Sequence, residues 1–451
     1  MKIKQFEDKN LAHYSYAIID KGEIALIDPA RDPRPYFDLA KKEGAVITTI
    51  IETHPHADFI SSHLEIHKKT GATIYISKLA GAEYPHQTFD DGDAIILGDV
   101  ALRSINTPGH SPDSISIVLI DSEGKEKAVF TGDTLFIGDC GRPDLREKAG
   151  AITATRTELA IQMYHSLRDK LMLLSDDVLV YPAHGAGSLC GKGLSDQKVS
   201  TIGAEKRDNW SLKNMSQEEF ITELLRDQPF IPKYFTYDVE LNKKGAGSFE
   251  ESINKIPNRE PVTCQNCAKS LNPDILIVDT RPQLQYKKSH LKNTINLPND
   301  TKFETWLGSI VAPREKFYLL AENEAVLNEL IERIAKIGYE SNIELAFVSE
   351  FGDIKSPLFD AEELKKQENA FTIVDIRNPS EVKIQKIFKN AINIPLYELR
   401  ERADEIPVNK PIVVHCAGGY RSAAGSSILK NKLNGHAIIF DLSEAVKQFQ
   451  K

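Results

Sequence analysis

Cysteine is scarce in this chain, with five residues in 451. That is too few for a disulfide framework, so each is weighed for its chemistry. No apolar run approaches the length that spans a bilayer. The start, Met1-Lys2-Ile3-Lys4-Gln5-Phe6-Glu7-Asp8, has no apolar signal core and soon turns acidic. Together these absences predict no membrane partner and a reducing cytoplasm. Basic charge is not in excess either: the net charge of −9 argues against general nucleic-acid or anionic-membrane binding. With 41% hydrophobic and 27% charged residues, the chain has the composition of a globular protein able to bury sizeable cores. Its length suits two to four domains rather than one.

What is present is alternation. Short β-rich runs cover Leu11–Ile19, Ile24–Asp28, Val46–Ile51, Ala101–Thr107, Ser114–Ile120, Ala128–Thr131 and Val178–Tyr181, with a long helix expected over Ala151–Leu174. Strands outnumber helices, yet enough helix remains to form outer layers, which predicts an α/β fold of the αββα sandwich type. Asn242–Pro261 has linker chemistry. An internal repeat follows. Ile275–Arg281 (ILIVDTR) matches Phe371–Arg377 (FTIVDIR), and Lys292–Pro298 (KNTINLP) matches Lys389–Pro395 (KNAINIP). A turn-rich join near Gly352–Asp360 divides the copies. The expected domains are therefore residues 1–245, 260–352 and 358–451, the latter two small α/β units.

The run Thr53-His54-Pro55-His56-Ala57-Asp58-Phe59 packs metal-ligand types into the loop leaving a buried strand. Three more strand ends carry such types: Thr107-Pro108-Gly109-His110, Phe130-Thr131-Gly132-Asp133 and Tyr181-Pro182-Ala183-His184. Any one of them alone reads as a satisfied polar turn. Four of them, placed where loops at one sheet edge can converge, point to a bound ion.

These motifs resemble the metallo-β-lactamase fold signature over roughly residues 1–240, and in detail they resemble persulfide dioxygenases more than hydrolases. The resemblance implies one Fe(II) per subunit on His54, His110 and Asp133, a facial triad with open positions for substrate and O₂. His56, Asp58 and His184 would then stand behind, orienting ligands and bound water. In hydrolases of this fold the motif reads His-x-His-x-Asp-His, and its last pair holds a second metal. Phe59 fills that final place here and ligates nothing. It weakens the two-metal reading without itself selecting iron. Gly138–Asp144 (GDCGRPD) resembles the Cys-Gly-Arg segment after the aspartate ligand in persulfide dioxygenases. Cys140 and Arg142 are thus expected at an anionic sulfur substrate, the plain alternative being a turn with an Arg–Asp pair. Cys190, soon after His184, is expected near the ion, either as a persulfide carrier or as a small buried apolar residue.

Near the C-terminus, Pro411–His415 reads as a buried strand running into Cys416-Ala417-Gly418-Gly419-Tyr420-Arg421-Ser422 and a helix. Glycines let a tight loop wrap one sulfur, and N–H groups at the helix start favour a thiolate. A six-residue loop from Cys416 to Arg421 resembles rhodanese sulfurtransferases; tyrosine-phosphatase loops are longer by one residue. This implies Cys416 and Arg421 as catalytic residues, with Gly418, Gly419, Tyr420 and Ser422 lining the substrate. Asp375, Arg377 and Asn393-Ile394-Pro395 resemble the landmarks that support such a loop. The first copy keeps Asp279-Thr280-Arg281 but reads Phe317–Glu324 (FYLLAENE) where the nucleophile belongs, so it is expected to be a rhodanese-like fold without activity. Cys264 and Cys267 form a CxxC pair with no second pair nearby, read as incidental thiols.

The combined expectation is a bifunctional enzyme of sulfide detoxification. A thiol persulfide, carried by glutathione, coenzyme A or a similar thiol, is oxidised with O₂ to sulfite. Cys416 exchanges sulfur between sulfite and thiosulfate, and fusion limits the escape of the intermediate. The resemblance also implies a homodimer or homotetramer. The rivals are a zinc thioester hydrolase of the glyoxalase II type and a non-catalytic sulfur carrier acting through Cys416.

Overall fold

The computed structural model describes residues 1–146, 154–257, 262 and 268–450; Cys264 and Cys267 lie outside them. The chain divides into two compact units, Met1–Ser252 with Ala335–Gly338, and Ile253–Ile334 with Tyr339–Lys451.

The first unit holds two six-stranded sheets. One runs in chain order through β1 (Lys2–Asp8), β2 (His13–Asp20), β3 (Glu23–Ile27), β4 (Val46–Ile51), β5 (Thr73–Ile76) and β6 (Gln87–Thr88). The other comprises β7 (Ala94–Leu97), β8 (Val100–Asn106), β9 (Ile115–Ile120), β10 (Glu126–Gly132), β11 (Leu179–Pro182) and β12 (Ser200–Thr201). Every residue of β2 is buried because both of its faces are covered. Tyr14, Tyr16 and Ile18 point into the layer between the sheets with Leu102, Ile117, Leu119 and Phe130. Ala17 and Ile19 point outward onto Tyr36, Leu39 and Leu64 of the flanking helices. Helical Met163, Leu167, Phe220 and Leu224 cover the other sheet. The fold is therefore the expected αββα sandwich.

Two local readings change. Of the helix expected over Ala151–Leu174, residues 151–153 lie outside the described residues; among the described ones an α-helix runs from Arg156, where Thr155 and Glu158 form a reciprocal capping box, to His165. It continues as a π-turn over Ser166–Lys170, whose Ser166 hydroxyl donates to Pro108 O at 2.7 Å, two residues before His110. The helix Phe235–Lys244 also runs into the expected linker, and Gly245 stops it at φ 79°.

The second unit carries two four-stranded sheets of the same order. The first places β13 (Leu276–Asp279) between β14 (Thr294–Asn296) and β15 (Phe317–Ala321), with β16 (Ile343–Val348) outside. The second places β17 (Thr372–Asp375) between β18 (Ile392–Asn393) and β19 (Ile412–His415), with β20 (Ile439–Asp441) outside. All neighbouring pairs are parallel. Their registers correspond: Asp279 lies opposite Leu320, and Asp375 opposite His415. Leu320 thus answers to His415, and Ala321 stands where the second sheet has Cys416. Among the described residues, no helix is long and apolar enough to cross a membrane.

Candidate metal centre and cysteine loop

Strands β4, β8, β10 and β11 release their chains at one edge of the sandwich, bringing His54, His110, Asp133 and His184 together. His54, His110 and Asp133 each offer a ligand atom within 4.8 Å of the others, and all three are buried. The hydrogen bonds around them set the proton positions. The Thr53 N–H and hydroxyl donate to Asp28 Oδ1 and Oδ2 at 2.7 and 2.9 Å. With its proton spent there, the Thr53 hydroxyl accepts from His54 Nδ1 across 3.1 Å. His110 Nδ1 donates to Arg142 O at 2.9 Å. Both rings therefore carry their proton on Nδ1 and turn Nε2 lone pairs inward. Asp133 Oδ2 lies 3.4 Å from Nε2 of His110 and 3.9 Å from that of His54. This carboxylate oxygen is buried and receives no hydrogen bond. Three buried ligand-type atoms this close together, one of them a carboxylate oxygen without a hydrogen bond, suit a cation, so these residues fit a metal ion.

His184 completes the carboxylate. Its Nδ1 donates to Asp133 Oδ1 at 2.8 Å, and its Nε2 lies 2.8 Å from Asp58 Oδ2. Burial would lower the His184 imidazole, but the two carboxylates raise it well above the ordinary histidine range. Burial would likewise raise Asp133, yet the surrounding histidines, His184 first, hold it well below the usual range. His56 Nε2 lies 3.3 Å from Asp28 Oδ1. A second set, His56, Asp133 and His184, also has ligand atoms within 4.8 Å of one another. The Phe59 ring fills space beside it, 3.8 Å from the His13 ring centroid and 4.5 Å from that of His56.

The Cys-Gly-Arg segment meets the centre through its backbone, and Arg142 forms the Arg–Asp pair expected as the plain alternative. A Cβ at Gly141 would lie 1.9 Å from Asp133 O and 3.0 Å from His110 Cβ, so the backbone itself presses against the centre. Cys140 packs instead in the apolar cluster with Leu135, Met163 and Leu167. Burial, reinforced by Asp139, pushes its thiol up. The Arg142 guanidinium is bound by Asp144 through two hydrogen bonds of 2.7 and 2.6 Å. The residue reaches the centre through its carbonyl, which orients His110. Cys190 does sit at the edge: Asp58, His184 and Cys190 form a third group within 4.8 Å. Burial first, then Asp58 and Asp133, pushes its thiol well above the ordinary range, so it is protonated.

The sequence reading passed over His13, Asp28, Thr53 and Asn242. Asn242 Nδ2 donates to His56 O and Phe59 O at 2.8 and 2.7 Å, while its Oδ1 accepts from Ser61 N at 2.8 Å. A residue of the expected linker thus staples the metal-binding loop. Asp28, at φ 49°, offered one signal: a carboxylate ending an apolar strand.

In the second unit the buried Cys416 Sγ accepts the Gly419 N–H at 3.1 Å. Gly419 has φ 104°, and a Cβ there would lie 2.9 Å from Glu444 N and 3.0 Å from Ser443 C. Gly418 is exposed with nothing near its Cβ position, leaving one side of the loop open. Arg421, which closes the loop, is paired with protein. Glu381 holds its guanidinium at 2.6 and 2.7 Å, and Trp306 lies beneath at 5.8 Å. The Ser422 hydroxyl donates to Gly419 O, and the Tyr420 hydroxyl to Pro298 O. Each of these three side chains has its polar group on a protein partner. Arg377 forks onto Asp375, and Asn393 Nδ2 donates to the carbonyls of both. Arg281, Asp279 and Asn296 repeat that arrangement in the first sheet.

Comparison with known proteins agrees with this anatomy. Residues 9–184 match the metallo-beta-lactamase superfamily, and residues 360–451 match the rhodanese-like domain. The mitochondrial persulfide dioxygenase of Bos taurus is 33% identical over 234 residues, covering 51% of this chain and 82% of that protein. The cytoplasmic hydroxyacylglutathione hydrolase of Arabidopsis thaliana is 34% identical over 176 residues, 38% of this chain and 63% of that one. A crystal structure of a metallo-beta-lactamase from Staphylococcus aureus subsp. aureus COL superposes with a TM-score of 0.67 at 31% identity, covering 77% of this chain and 98% of that one. The chain belongs to the persulfide dioxygenase family of the metallo-β-lactamase superfamily, joined to a C-terminal rhodanese-like domain.

Proposed function

We propose that residues 1–245 oxidise a low-molecular-weight thiol persulfide at a single Fe(II) held by His54, His110 and Asp133. Residues 358–451 would transfer sulfur through Cys416, and residues 260–352 form a rhodanese-like unit without a nucleophile. The observation that carries the metal reading is Asp133 Oδ2, buried, without a hydrogen bond and 3.4 Å from His110 Nε2. Iron bound there supplies the means to activate O₂ beside the substrate. The balanced reaction is R–S–SH + O₂ + H₂O → R–SH + SO₃²⁻ + 2 H⁺. The chain's own part is positional. Thr53 and the Arg142 carbonyl orient the two histidines, His184 orients the carboxylate, and Asp58 stands behind His184.

At the second site the Cys416 thiolate attacks the outer sulfur of thiosulfate. The S–S bond breaks, sulfite departs with its electron pair, and a cysteine persulfide remains on the loop. In the other direction a thiol persulfide passes its outer sulfur to Cys416 and leaves as the thiol, and sulfite from the first site then takes that sulfur as thiosulfate, restoring the Cys416 thiolate. Gly419 N–H supports the negative charge on sulfur in either direction. Ala321 at the matching place of the first repeat can do neither step.

A second reading, a two-zinc thioester hydrolase, rests on the group His56, Asp133 and His184 that could take another ion. Oxygen uptake and sulfite release by the iron-loaded chain, measured across glutathione and coenzyme A persulfides, test the proposal. A sustained thioesterase activity with no oxygen uptake favours the second reading.

A further inference from the structure

The first repeat has lost its sulfur loop but keeps the helix that, in the second repeat, holds one. Helix Pro379–Ile384 starts two residues past Arg377, and its Glu381 grips Arg421 at the end of the cysteine loop. Helix Gln283–Lys288 starts two residues past Arg281, at the same place in its own repeat. Its polar residues turn to the partner repeat instead. Lys287 Nζ lies 2.9 Å from Asp441 Oδ2 and donates to Ser443 Oγ at 2.6 Å; Gln283 Nε2 also donates to Asp441. The Asp441 and Lys287 side chains are almost wholly buried, so this pair is shielded from solvent screening. Asp441 in turn accepts the Ser443 N–H at 2.8 Å and its hydroxyl at 2.9 Å, holding Ser443 at a left-handed φ of 52°. The backbone of residues 443 and 444 lies directly behind Gly419, as the 2.9 and 3.0 Å Cβ clearances show. Gly419 N–H is the donor to Cys416 Sγ.

We propose that Lys287 is a positioning residue for sulfur transfer at Cys416: through Asp441 and Ser443 it fixes the backbone that aims the Gly419 N–H at the sulfur. The nucleophile-free repeat is then an outer brace of its neighbour's cradle, facing the brace that Glu381 supplies from within. This inference rests on the reading of Cys416 as the sulfur carrier.

The test uses the full chain with thiosulfate as donor and cyanide as acceptor. Lys287→Met lowers kcat/KM for transfer on the order of tenfold, since a misaimed donor costs rate, and Lys287→Arg recovers to within about threefold. Oxygen uptake with glutathione persulfide stays at the parent rate in both variants. Transfer retained by Lys287→Met overturns the proposal. So does equal loss in the methionine and arginine variants, because packing rather than the charged contact would then be at work. Cys416→Ser is the control that separates the two readings: if it still transfers sulfur, the assignment of Cys416 fails, whatever Lys287 does.

Discussion

His184 Nδ1 donates to Asp133 Oδ1 across 2.8 Å, which leaves Oδ2 of the same carboxylate to face His54 and His110. One oxygen is committed to the His184 ring and the other faces the proposed ligand histidines. Asp133 therefore depends on His184 for its orientation, and Asp58 stands behind His184.

Replacing His184 with Ala removes that orientation but none of the three donors. Metal affinity falls by about 10–100-fold, the usual effect of losing a partner that orients a ligand. Competition with a chelator of known affinity measures it. An affinity unchanged from the parent contradicts the arrangement.

Phe59→His places a donor where the second ion of a two-metal site would need one. The metal content of zinc-reconstituted protein is expected to rise from one ion per chain to two, read by elemental analysis. A count that stays at one shows that His56, Asp133 and His184 cannot complete a second site, with or without position 59.

Asn242→Ala strips the His56 and Phe59 carbonyls and the Ser61 N–H of their buried partner. The expected cost is about 2–4 kcal/mol, because each buried group loses its hydrogen bond without regaining water. It appears as a lower thermal midpoint of the metal-binding unit; a midpoint within a degree of the parent rules out the staple.

Glu381→Gln leaves Arg421 without its carboxylate partner. Burial works to raise Glu381, but Arg421 outweighs it and the group titrates below the ordinary range. A depressed carboxylate contributes stability that is complete above its unfolded pKa, near 4.3, and is lost as pH falls through the lower folded value. The parent should thus lose stability below about pH 4.3 more steeply than the variant. At neutral pH the variant is weaker by roughly 1–3 kcal/mol, with Glu381 one-third exposed. Denaturant midpoints at pH 7 and pH 3.5 read both effects, and parallel pH curves for the two proteins argue against the pair.

The residues of the candidate metal centre could be read together because they end apolar runs: His54 after β4, His110 after β8 and Asp133 after β10, with His184 after β11. The repeat was legible because Asp-x-Arg and Asn-x-Pro build one hydrogen-bonded corner twice, around Asp279 and around Asp375. Asn242 and His13 were not legible. Asn242 reaches the loop across more than 180 positions of sequence, and His13 reaches Phe59 only because β2 lies beside it in space. The partners of Arg142 and Arg421 were not legible either, for a related reason. Sequence shows a guanidinium near a site, but not that Asp144 or Glu381 already occupies it.

The central claim is tested most directly by anaerobic reconstitution followed by a single assay of metal content and oxygen stoichiometry with glutathione persulfide. One iron per chain, one O₂ consumed for each sulfite formed, and loss of both in His110→Ala are the expected results. Two zinc ions per chain, with thioester hydrolysis and no oxygen uptake, would contradict the claim.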